Sequence, residues 1–177
     1  MTIKISEPEL QSRLSQVKLL TLDVDGVLTD GGLYYTDQGE ELKKFNVKDG
    51  LGIKLLIASG IEVAIISAST SKSVLHRAKK LGINHTFIGV EDKLLALDNL
   101  CQKLNITLEQ VAYMGDDLND IVVLQAVGCP LTVADAMPAN KSLAIYVTQL
   151  SGGQGAVREI CDHFLVNDSN KITNSII

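Results

Sequence analysis

The chain has 177 residues, of which 46% are apolar and 21% are charged, a balance that is typical of one globular domain and excludes a disordered or fibrous chain. Its net charge of -5 argues against a nucleic-acid partner, because phosphate backbones are held by clustered Lys and Arg side chains. No apolar run approaches the roughly 20 residues that cross a bilayer, so we expect no membrane partner.

The first segment of the chain and its cysteines indicate a compartment. Residues 1–16 are too polar for a signal peptide. Cys101, Cys129 and Cys161 are widely spaced and form neither a CxxC pair nor a disulfide framework. Both observations predict a cytoplasmic protein.

Short apolar runs then alternate with segments of helical periodicity, which is typical of stacked βαβ units around a parallel sheet. The predicted strands cover residues 19–24, 62–66, 86–88, 111–114, 131–133 and 145–147. The predicted helices cover residues 49–59, 71–81 and 91–104, with Asp49 as the cap of the first and Gly60, Gly82 and Asn105 following their ends. The alternation predicts an α/β fold.

Two segments depart from this alternation. Between 32 and 46, apolar and aromatic residues on both sides of the turn-forming residues 36–39 predict a β-hairpin that projects from the sheet. Residues 166–177 are rich in Asn, Ser and Lys without periodicity and predict a frayed tail. We therefore expect a single domain over residues 1–177 with its core at about 17–165.

Acidic residues follow two of the predicted strands. Asp23 and Asp25 end the first strand, where alternate residues share a face and Gly26 allows a sharp turn. The strand at 111–114 is followed by a second acidic cluster, Asp116, Asp117 and Asp120. The carboxyl ends of parallel strands meet at the sheet edge where ligands bind. Because carboxylates this close repel each other, we predict that a Mg²⁺ ion lies among them.

Two hydrogen-bond donors complete the pattern. Ser67 closes the predicted strand at 62–66, and Lys93 lies in the first turn of the predicted helix at 91–104. Each group alone is more often a turn, a cap or a solvated side chain. Their order at four successive βα positions, together with the two acidic clusters, favours a site for phosphoryl chemistry.

This ordered set resembles the haloacid dehalogenase superfamily, whose motifs are a DxD after the first strand, a Ser or Thr, a Lys, and a GDD or GDxxxD. The resemblance implies a Rossmann-like, three-layer parallel sheet and an aspartyl-phosphate intermediate on Asp23. It implies that Asp23, Asp116 and the backbone carbonyl of Asp25 hold Mg²⁺, and that Asp25 is the general acid and base. Ser67 and Lys93 would stabilise charge on the transferring oxygens.

Longer stretches are more specific. The segments DVDGVLTDGGLYY, GEELKKFNVKDGLGIKLL, VAYMGDDLND and GGQGAVREICD resemble the 3-deoxy-D-manno-octulosonate 8-phosphate phosphatases and their sialic-acid-type relatives. The resemblance implies a sugar-acid phosphatase of the lipopolysaccharide precursor pathway. It also implies a homotetramer in which the hairpins pack around a central axis and a neighbour's segments help to cover each active site. The spacing of the motifs leaves no room for a separate cap domain. The substrate contacts that it implies are Asp25, Asn46, Val47, Lys48, Asp49, Gly50, Lys54, Ser69, Arg77 and Lys93.

Two departures from that family leave the substrate open. Ser69 stands where an Arg is common, and Gln154 stands where many relatives have a basic residue. Ser and Arg are not interchangeable in anion recognition. The alternative substrates are a nine-carbon, sialic-acid-type 9-phosphate or another sugar phosphate, and the non-enzymatic alternatives are a phospho-accepting module or an oligomerisation module.

Overall fold

Six parallel strands form the central sheet of the protein, whose computed structural model describes residues 5–166. Their spatial order is β5-β4-β1-β6-β7-β8. The strands are β1 (Leu19–Leu22), β4 (Glu62–Ile66), β5 (His85–Phe87), β6 (Val111–Met114), β7 (Cys129–Thr132) and β8 (Tyr146–Val147), and a separate antiparallel pair consists of β2 (Tyr34–Tyr35) and β3 (Glu41–Leu42).

Helices cover both faces of the sheet. In chain order they are α1 (Glu7–Leu14), α2 (Val47–Ala58), α3 (Lys72–Leu81), α4 (Lys93–Leu104), α5 (Ile121–Ala126), α6 (Pro138–Leu143) and α7 (Ala156–Leu165), with short 3-10 turns at Leu108–Gln110 and Leu118–Asp120. Helices α1, α2, α3 and α7 share one hydrophobic cluster with the sheet, and α4 and α5 share the other. The predicted three-layer α/β fold is thus confirmed.

The central strands are apolar on both faces because both faces are covered. Leu20 and Leu22 of β1 pack into the first cluster, whereas Leu19 packs into the second. Within β1 every residue is buried, including Thr21. This double coverage explains why the strands appear in the sequence as nearly continuous apolar runs.

The hairpin projects from the sheet as predicted. Tyr34 pairs with Leu42 and Tyr35 pairs with Glu41, and the turn closes through a hydrogen bond from the Thr36 amide to the Glu40 carbonyl at 2.9 Å. Within residues 5–166 it is the main insertion between β1 and β4, and no separate cap domain is present in this part of the chain.

Two sequence expectations differ in substance from the structure, and a third falls almost entirely outside the described residues. Helix α1 was not expected, but its Leu10 and Leu14 are buried, so the packed region begins before residue 17. Helix α2 begins at Val47 rather than at residue 49, because the side chain of Asn46 accepts the Lys48 amide and caps it. The predicted tail lies outside the described residues except for Val166.

The ends of α3 and α4 agree with their predicted stops. Gly82 and Asn105 both adopt the left-handed conformation after their helices, which Gly and Asn tolerate best. Among residues 5–166, the helices are all too short or too polar to span a bilayer.

Candidate active site

The end of β1 lies between the ends of β4 and β6. Leu22 pairs with Ile65 on one side and with Met114 on the other, and the Asp23 amide donates to the Met114 carbonyl at 3.0 Å. This register brings the residues that follow the three strands to one sheet edge. Asp23 is buried there, and its Oδ1 accepts the Val24 amide at 2.7 Å.

The predicted acidic residues converge at this edge. Single carboxylate oxygens of Asp23, Asp116 and Asp120 lie within 4.8 Å of one another. The Asp116 carboxylate fills the space where a side chain at position 26 would begin, so that only Gly26, which has a φ of +85°, fits there. The backbone turn of the DxDG motif and the carboxylate of the GDD motif therefore pack closely against each other.

Asp120 differs from the other two carboxylates because its oxygens are already satisfied. Oδ1 accepts from Lys93 Nζ at 2.7 Å and from the Tyr113 hydroxyl at 2.6 Å. Oδ2 accepts the backbone amides of Asp116 at 2.9 Å and Asp117 at 3.2 Å. Asp120 thus holds the acidic loop and the lysine in place, and it has little capacity left for a cation.

Lys93 lies between two carboxylates. Its Nζ is 2.8 Å from Asp23 Oδ2 and 2.7 Å from Asp120 Oδ1, and its side chain is buried. Burial acts to lower the pKa of Lys93, but the attraction of Asp23 and Asp120 outweighs it and leaves the pKa above its usual value. The ammonium group is therefore charged and directed at Asp23.

One ammonium does not balance the negative charge of the cluster. Burial, followed by repulsion from Asp120, raises the pKa of Asp23 despite Lys93. Burial and the charges of Asp23 and Asp120 raise the pKa of Asp116 to about 7. Both shifts express a shortage of positive charge at this edge.

The donor set fits Mg²⁺. Oδ1 of Asp116 is buried and has no hydrogen-bond partner among residues 5–166, so it can offer a lone pair to a cation. Hard oxygen ligands of this kind are those that Mg²⁺ prefers in proteins. Asp25 contributes differently, because its carboxylate contacts Lys43 Nζ at 2.6 Å, and the family resemblance implies that its backbone carbonyl is the ligand.

These groups line a cleft that is open to solvent. Ser67 is buried at its base, where its Oγ accepts the Ser69 amide at 3.2 Å. Every lining residue follows the end of β1, β4 or β6: Asp23, Asp25, Ser67, Ala68, Ser69, Asp116, Asp117, Leu118 and Asn119. A nucleophilic carboxylate, a charged lysine and a vacant carboxylate oxygen at one cleft are the parts needed to transfer a phosphoryl group.

Comparison with known proteins agrees with this chemistry. A sequence family described as haloacid dehalogenase-like hydrolase matches residues 89–160. The 3-deoxy-D-manno-octulosonate 8-phosphate phosphatase of Salmonella typhimurium is 49% identical over 159 residues, which are 90% of this chain and 85% of that protein. The chain belongs to the 3-deoxy-D-manno-octulosonate 8-phosphate phosphatase family.

Solved structures of this family share the fold. The phosphatase from Moraxella catarrhalis, in complex with a magnesium ion, a phosphate ion and KDO, has a TM-score of 0.91 and 40% identity, over 96% of this chain and 98% of that chain. The cobalt-bound phosphatase from Haemophilus influenzae has a TM-score of 0.85 and 40% identity, over 90% and 93% of the two chains.

The substrate contacts that the family resemblance implies do not all reach the cleft of this single chain. Ser69 lines the cleft. Lys48 lines a second cavity together with Gln154 and Arg158. A third cavity, between α2 and α3, is lined by Val47, Gly50, Leu51, Lys54, Arg77, Lys80 and Leu81.

Three of these residues also have structural roles. Arg77 donates to the Asn46 carbonyl at 2.8 Å and lies 5.7 Å from the centre of the Phe45 ring. Asn46 donates its side-chain amide to the Gly153 carbonyl at 3.0 Å. Asp49 is buried and accepts the Arg158 amide at 2.8 Å. Their contact with substrate stays a prediction for the phosphatase assembly.

Two residues that contact the site were missed by sequence reasoning. Tyr113 is buried within β6, where it reads as another core residue, and only its hydrogen bond to Asp120 shows its place in the site. Lys43 follows β3 in the hairpin, and its ammonium group contacts the carboxylate of Asp25 after β1. Neither spacing nor residue type indicates such a contact.

Proposed function

We propose that the protein is a Mg²⁺-dependent phosphatase that hydrolyses 3-deoxy-D-manno-octulosonate 8-phosphate to the free sugar acid and phosphate. The observation that carries this proposal is the buried Asp23, which lies between charged Lys93 and the vacant oxygen of Asp116 at the cleft. Family membership supports the sugar acid as substrate.

In the proposed reaction, a carboxylate oxygen of Asp23 attacks the phosphorus atom in line, and the bond from phosphorus to the sugar oxygen breaks. Asp25 gives its proton to that sugar oxygen. Lys93 and Ser67 stabilise the negative charge on the transferring oxygens. A water molecule then gives a proton to Asp25 and attacks the aspartyl phosphate, which releases phosphate and restores Asp23.

Asp23, Asp116 and the backbone carbonyl of Asp25 would hold the Mg²⁺ ion. When bound, the ion supplies the positive charge that the acidic edge lacks and lets a phosphate approach Asp23. Lys93 favours the ionised form of Asp23 against the burial that raises its pKa, and Asp120 fixes the position of Lys93. Asp120 and Asp117 act as supporting acidic residues of the loop.

The assembly and compartment follow from the same proposal. We infer a homotetramer joined through the hairpins, because Leu33, Tyr34, Tyr35 and Leu42 are all at least half exposed there. A neighbour could then bring Asn46, Val47, Lys48, Asp49, Gly50, Lys54 or Arg77 to a substrate in the open cleft.

The reaction would belong to lipopolysaccharide precursor synthesis in the cytoplasm, where three buried, free cysteines are stable. We propose that residues 1–177 act as one catalytic domain.

A second substrate is favoured by one specific observation. Ser69 lines the cleft at the position where the family commonly has Arg. A shorter neutral side chain leaves room but removes a guanidinium that would bind a carboxylate. This difference supports a nine-carbon sialic-acid-type 9-phosphate as the alternative substrate.

A panel of phosphorylated sugars and sugar acids, assayed for phosphate release with Mg²⁺ and with a chelator, tests the proposal. We expect the octulosonate 8-phosphate to be preferred and activity to require Mg²⁺. Asp23→Asn should lower kcat by about a thousandfold or more, as expected for loss of a nucleophile. The matched control is Asp37→Asn in the exposed hairpin turn, which should keep full activity.

Three outcomes would contradict this assignment. Preference for a nine-carbon 9-phosphate would replace the substrate and keep the enzyme class. Release of phosphate by Asp23→Asn at the normal rate would remove the proposed nucleophile. No release from any member of the panel would favour the phospho-accepting or oligomerisation alternatives.

A further inference from the structure

Lys43 is a buried lysine on an otherwise exposed hairpin. Its side chain is 1% exposed, whereas the side chain of the next residue, Lys44, is 55% exposed and pairs with Asp30 at the surface. Lysine is almost never fully buried unless it is paired, because removing an ammonium from water is costly. Its partners therefore explain its position.

Two carboxylates hold the Lys43 ammonium. Nζ lies 2.6 Å from Asp25 Oδ1 and 2.8 Å from Glu41 Oε1. Glu41 is itself held by the Tyr35 hydroxyl, which donates to Oε2 at 3.3 Å. Burial acts to lower the pKa of Lys43, but its bonds to Asp25 and Glu41 outweigh burial and raise it. Lys43 is therefore a charged bridge between the hairpin and the cleft.

Asp25 has few other restraints. It is followed by Gly26 in a tight turn, and its side chain is 36% exposed at the cleft. Within residues 5–166, Lys43 is the side-chain partner that the structure records for its carboxylate. With Oδ1 held, Oδ2 is left to exchange a proton in the cleft.

We propose that Lys43 is a positioning residue of the phosphatase reaction, and that its ammonium holds the Asp25 carboxyl in the orientation that proton transfer to the leaving oxygen requires. This inference rests on the proposed function. A general acid works only within hydrogen-bond reach of its target, and an aspartate on an open turn samples other rotamers when nothing holds it. The hairpin thereby contributes to the chemistry of its own subunit.

The proton balance of the reaction gives the inference a specific signature. In the first step the bond from phosphorus to the sugar oxygen breaks, the bond to Asp23 forms, and the Asp25 proton moves to the sugar oxygen. Lys43 keeps its own protons throughout. A leaving group that departs as a stable anion needs no proton, so a loss of Asp25 orientation should matter little for it.

The test is kcat/KM of Lys43→Met on two substrates, since this constant reports the steps up to transfer to Asp23. On 3-deoxy-D-manno-octulosonate 8-phosphate we expect a loss of about 10- to 100-fold, within the usual range for acid catalysis. On p-nitrophenyl phosphate, whose leaving group is acidic, we expect a loss of no more than about threefold. Lys44→Met, which removes the same charge from the neighbouring residue, should behave as wild type on both substrates.

A double-mutant cycle shows whether Lys43 acts through Asp25. Adding Lys43→Met to Asp25→Asn should change kcat/KM by less than about twofold, because coupled residues are not additive. Equal losses on the two substrates, or fully additive losses in the cycle, would overturn the inference. If Lys43→Met does not fold, Glu41→Gln decides by the same ratio between substrates, with a smaller loss of about two- to fivefold.

The proposed function fails separately from this inference. A wild-type enzyme that leaves the sugar phosphate intact contradicts the proposed substrate. An active wild-type enzyme whose Lys43→Met variant loses both activities equally contradicts only the role of Lys43.

Discussion

Asp116 lies in a buried, acidic environment that favours the binding of a cation. Its Oδ1 is buried without a hydrogen-bond partner in the described part of the chain, and burial with the neighbouring carboxylates raises its pKa to about 7. Because this pKa lies above the usual value of an aspartate, ionisation of Asp116 disfavours the metal-free folded state as pH rises towards 7. A divalent cation would reverse that cost, since it binds only the ionised form.

This reasoning predicts that Mg²⁺ binding strengthens with pH. At pH 6 about a tenth of a group with a pKa near 7 is ionised, and at pH 8 about nine tenths is ionised. The apparent Kd for Mg²⁺ should therefore fall by about tenfold between pH 6 and pH 8. Isothermal titration calorimetry in buffers of different ionisation enthalpy measures both the Kd and the protons released.

Asp116→Asn is the variant that tests the assignment to this residue. It should bind Mg²⁺ more weakly and lose most of the pH dependence, whereas Asp98→Asn on α4, away from the cleft, should match wild type. A Kd that does not change with pH in the wild-type protein would mean that the acidic edge is already ionised and that Asp116 is not the controlling ligand.

At the scale of elements, Asp49 joins two helices. It lies in the first turn of α2, where its buried Oδ1 accepts the Arg158 amide at the start of α7. Gly155 occupies the N-cap position of α7, so the N-cap residue itself supplies no side-chain hydrogen bond within the described residues. Asp49 therefore supplies across space the hydrogen bond that a capping residue normally supplies locally.

Replacing Asp49 should therefore cost stability before it costs catalysis. We expect Asp49→Ala to lower the free energy of unfolding by about 1–2 kcal/mol, the usual cost of a lost cap. The control Asp162→Ala, on the surface of α7 and paired with Arg158, should cost less than about 0.5 kcal/mol. Urea denaturation measures both changes.

The same variant tests the predicted substrate contact. If the side chain of Asp49 only caps α7, kcat/KM per folded molecule of the variant stays within about twofold of wild type at a temperature where the variant is folded. A loss of tenfold or more in KM under those conditions would show that Asp49 also reaches the substrate in the assembly.

Which elements could be predicted from sequence follows from how local their causes are. The strands at Glu62–Ile66 and Val111–Met114 have their predicted bounds, because a doubly covered strand is a nearly continuous apolar run. Helix α1 was missed because it buries only Leu10 and Leu14. Asp49 was mistaken for the cap of α2, since sequence does not show that Asn46 caps α2 and Asp49 caps α7.

The residues of the site also differ in how far the sequence could predict their positions. Asp23, Ser67 and Asp116 could be brought together from sequence alone, because the parallel sheet aligns the ends of their strands. The contact of Lys43 with Asp25 joins the end of the hairpin to the turn after β1, two segments that are 18 residues apart in the chain. Such through-space pairs have no periodicity or motif that sequence analysis can detect.

For the molecule as a whole, subunit assembly would explain both the open cleft and the exposed hairpin. The cleft has no cap within residues 5–166, although water must be controlled while an aspartyl phosphate exists. The hairpin exposes four large apolar side chains, of which Tyr34 and Leu42 are cross-strand partners: Leu33, Tyr34, Tyr35 and Leu42. Exposed apolar side chains gathered on one short element are typical of an interaction site, and in the proposed tetramer they would be buried against a neighbour that also covers the cleft.

Weakening the hairpin surface should therefore reduce both assembly and activity. Tyr34 and Leu42 are cross-strand partners, so the double variant Tyr34→Ser/Leu42→Ser removes apolar area from one face and leaves the contact of Lys43 with Asp25 in place. At about 1 μM, we expect sedimentation velocity to show tetramer for wild type and smaller species for this variant, because obligate interfaces depend on buried apolar area. The kcat/KM on the sugar phosphate should fall with the tetramer fraction and recover as protein concentration rises.

The control is Leu95→Ser on α4, which replaces an equally exposed leucine away from the hairpin and should remain tetrameric. A double variant that keeps the wild-type sedimentation coefficient would place the subunit contacts elsewhere, and a monomer with full activity would show that the cleft works without a neighbour.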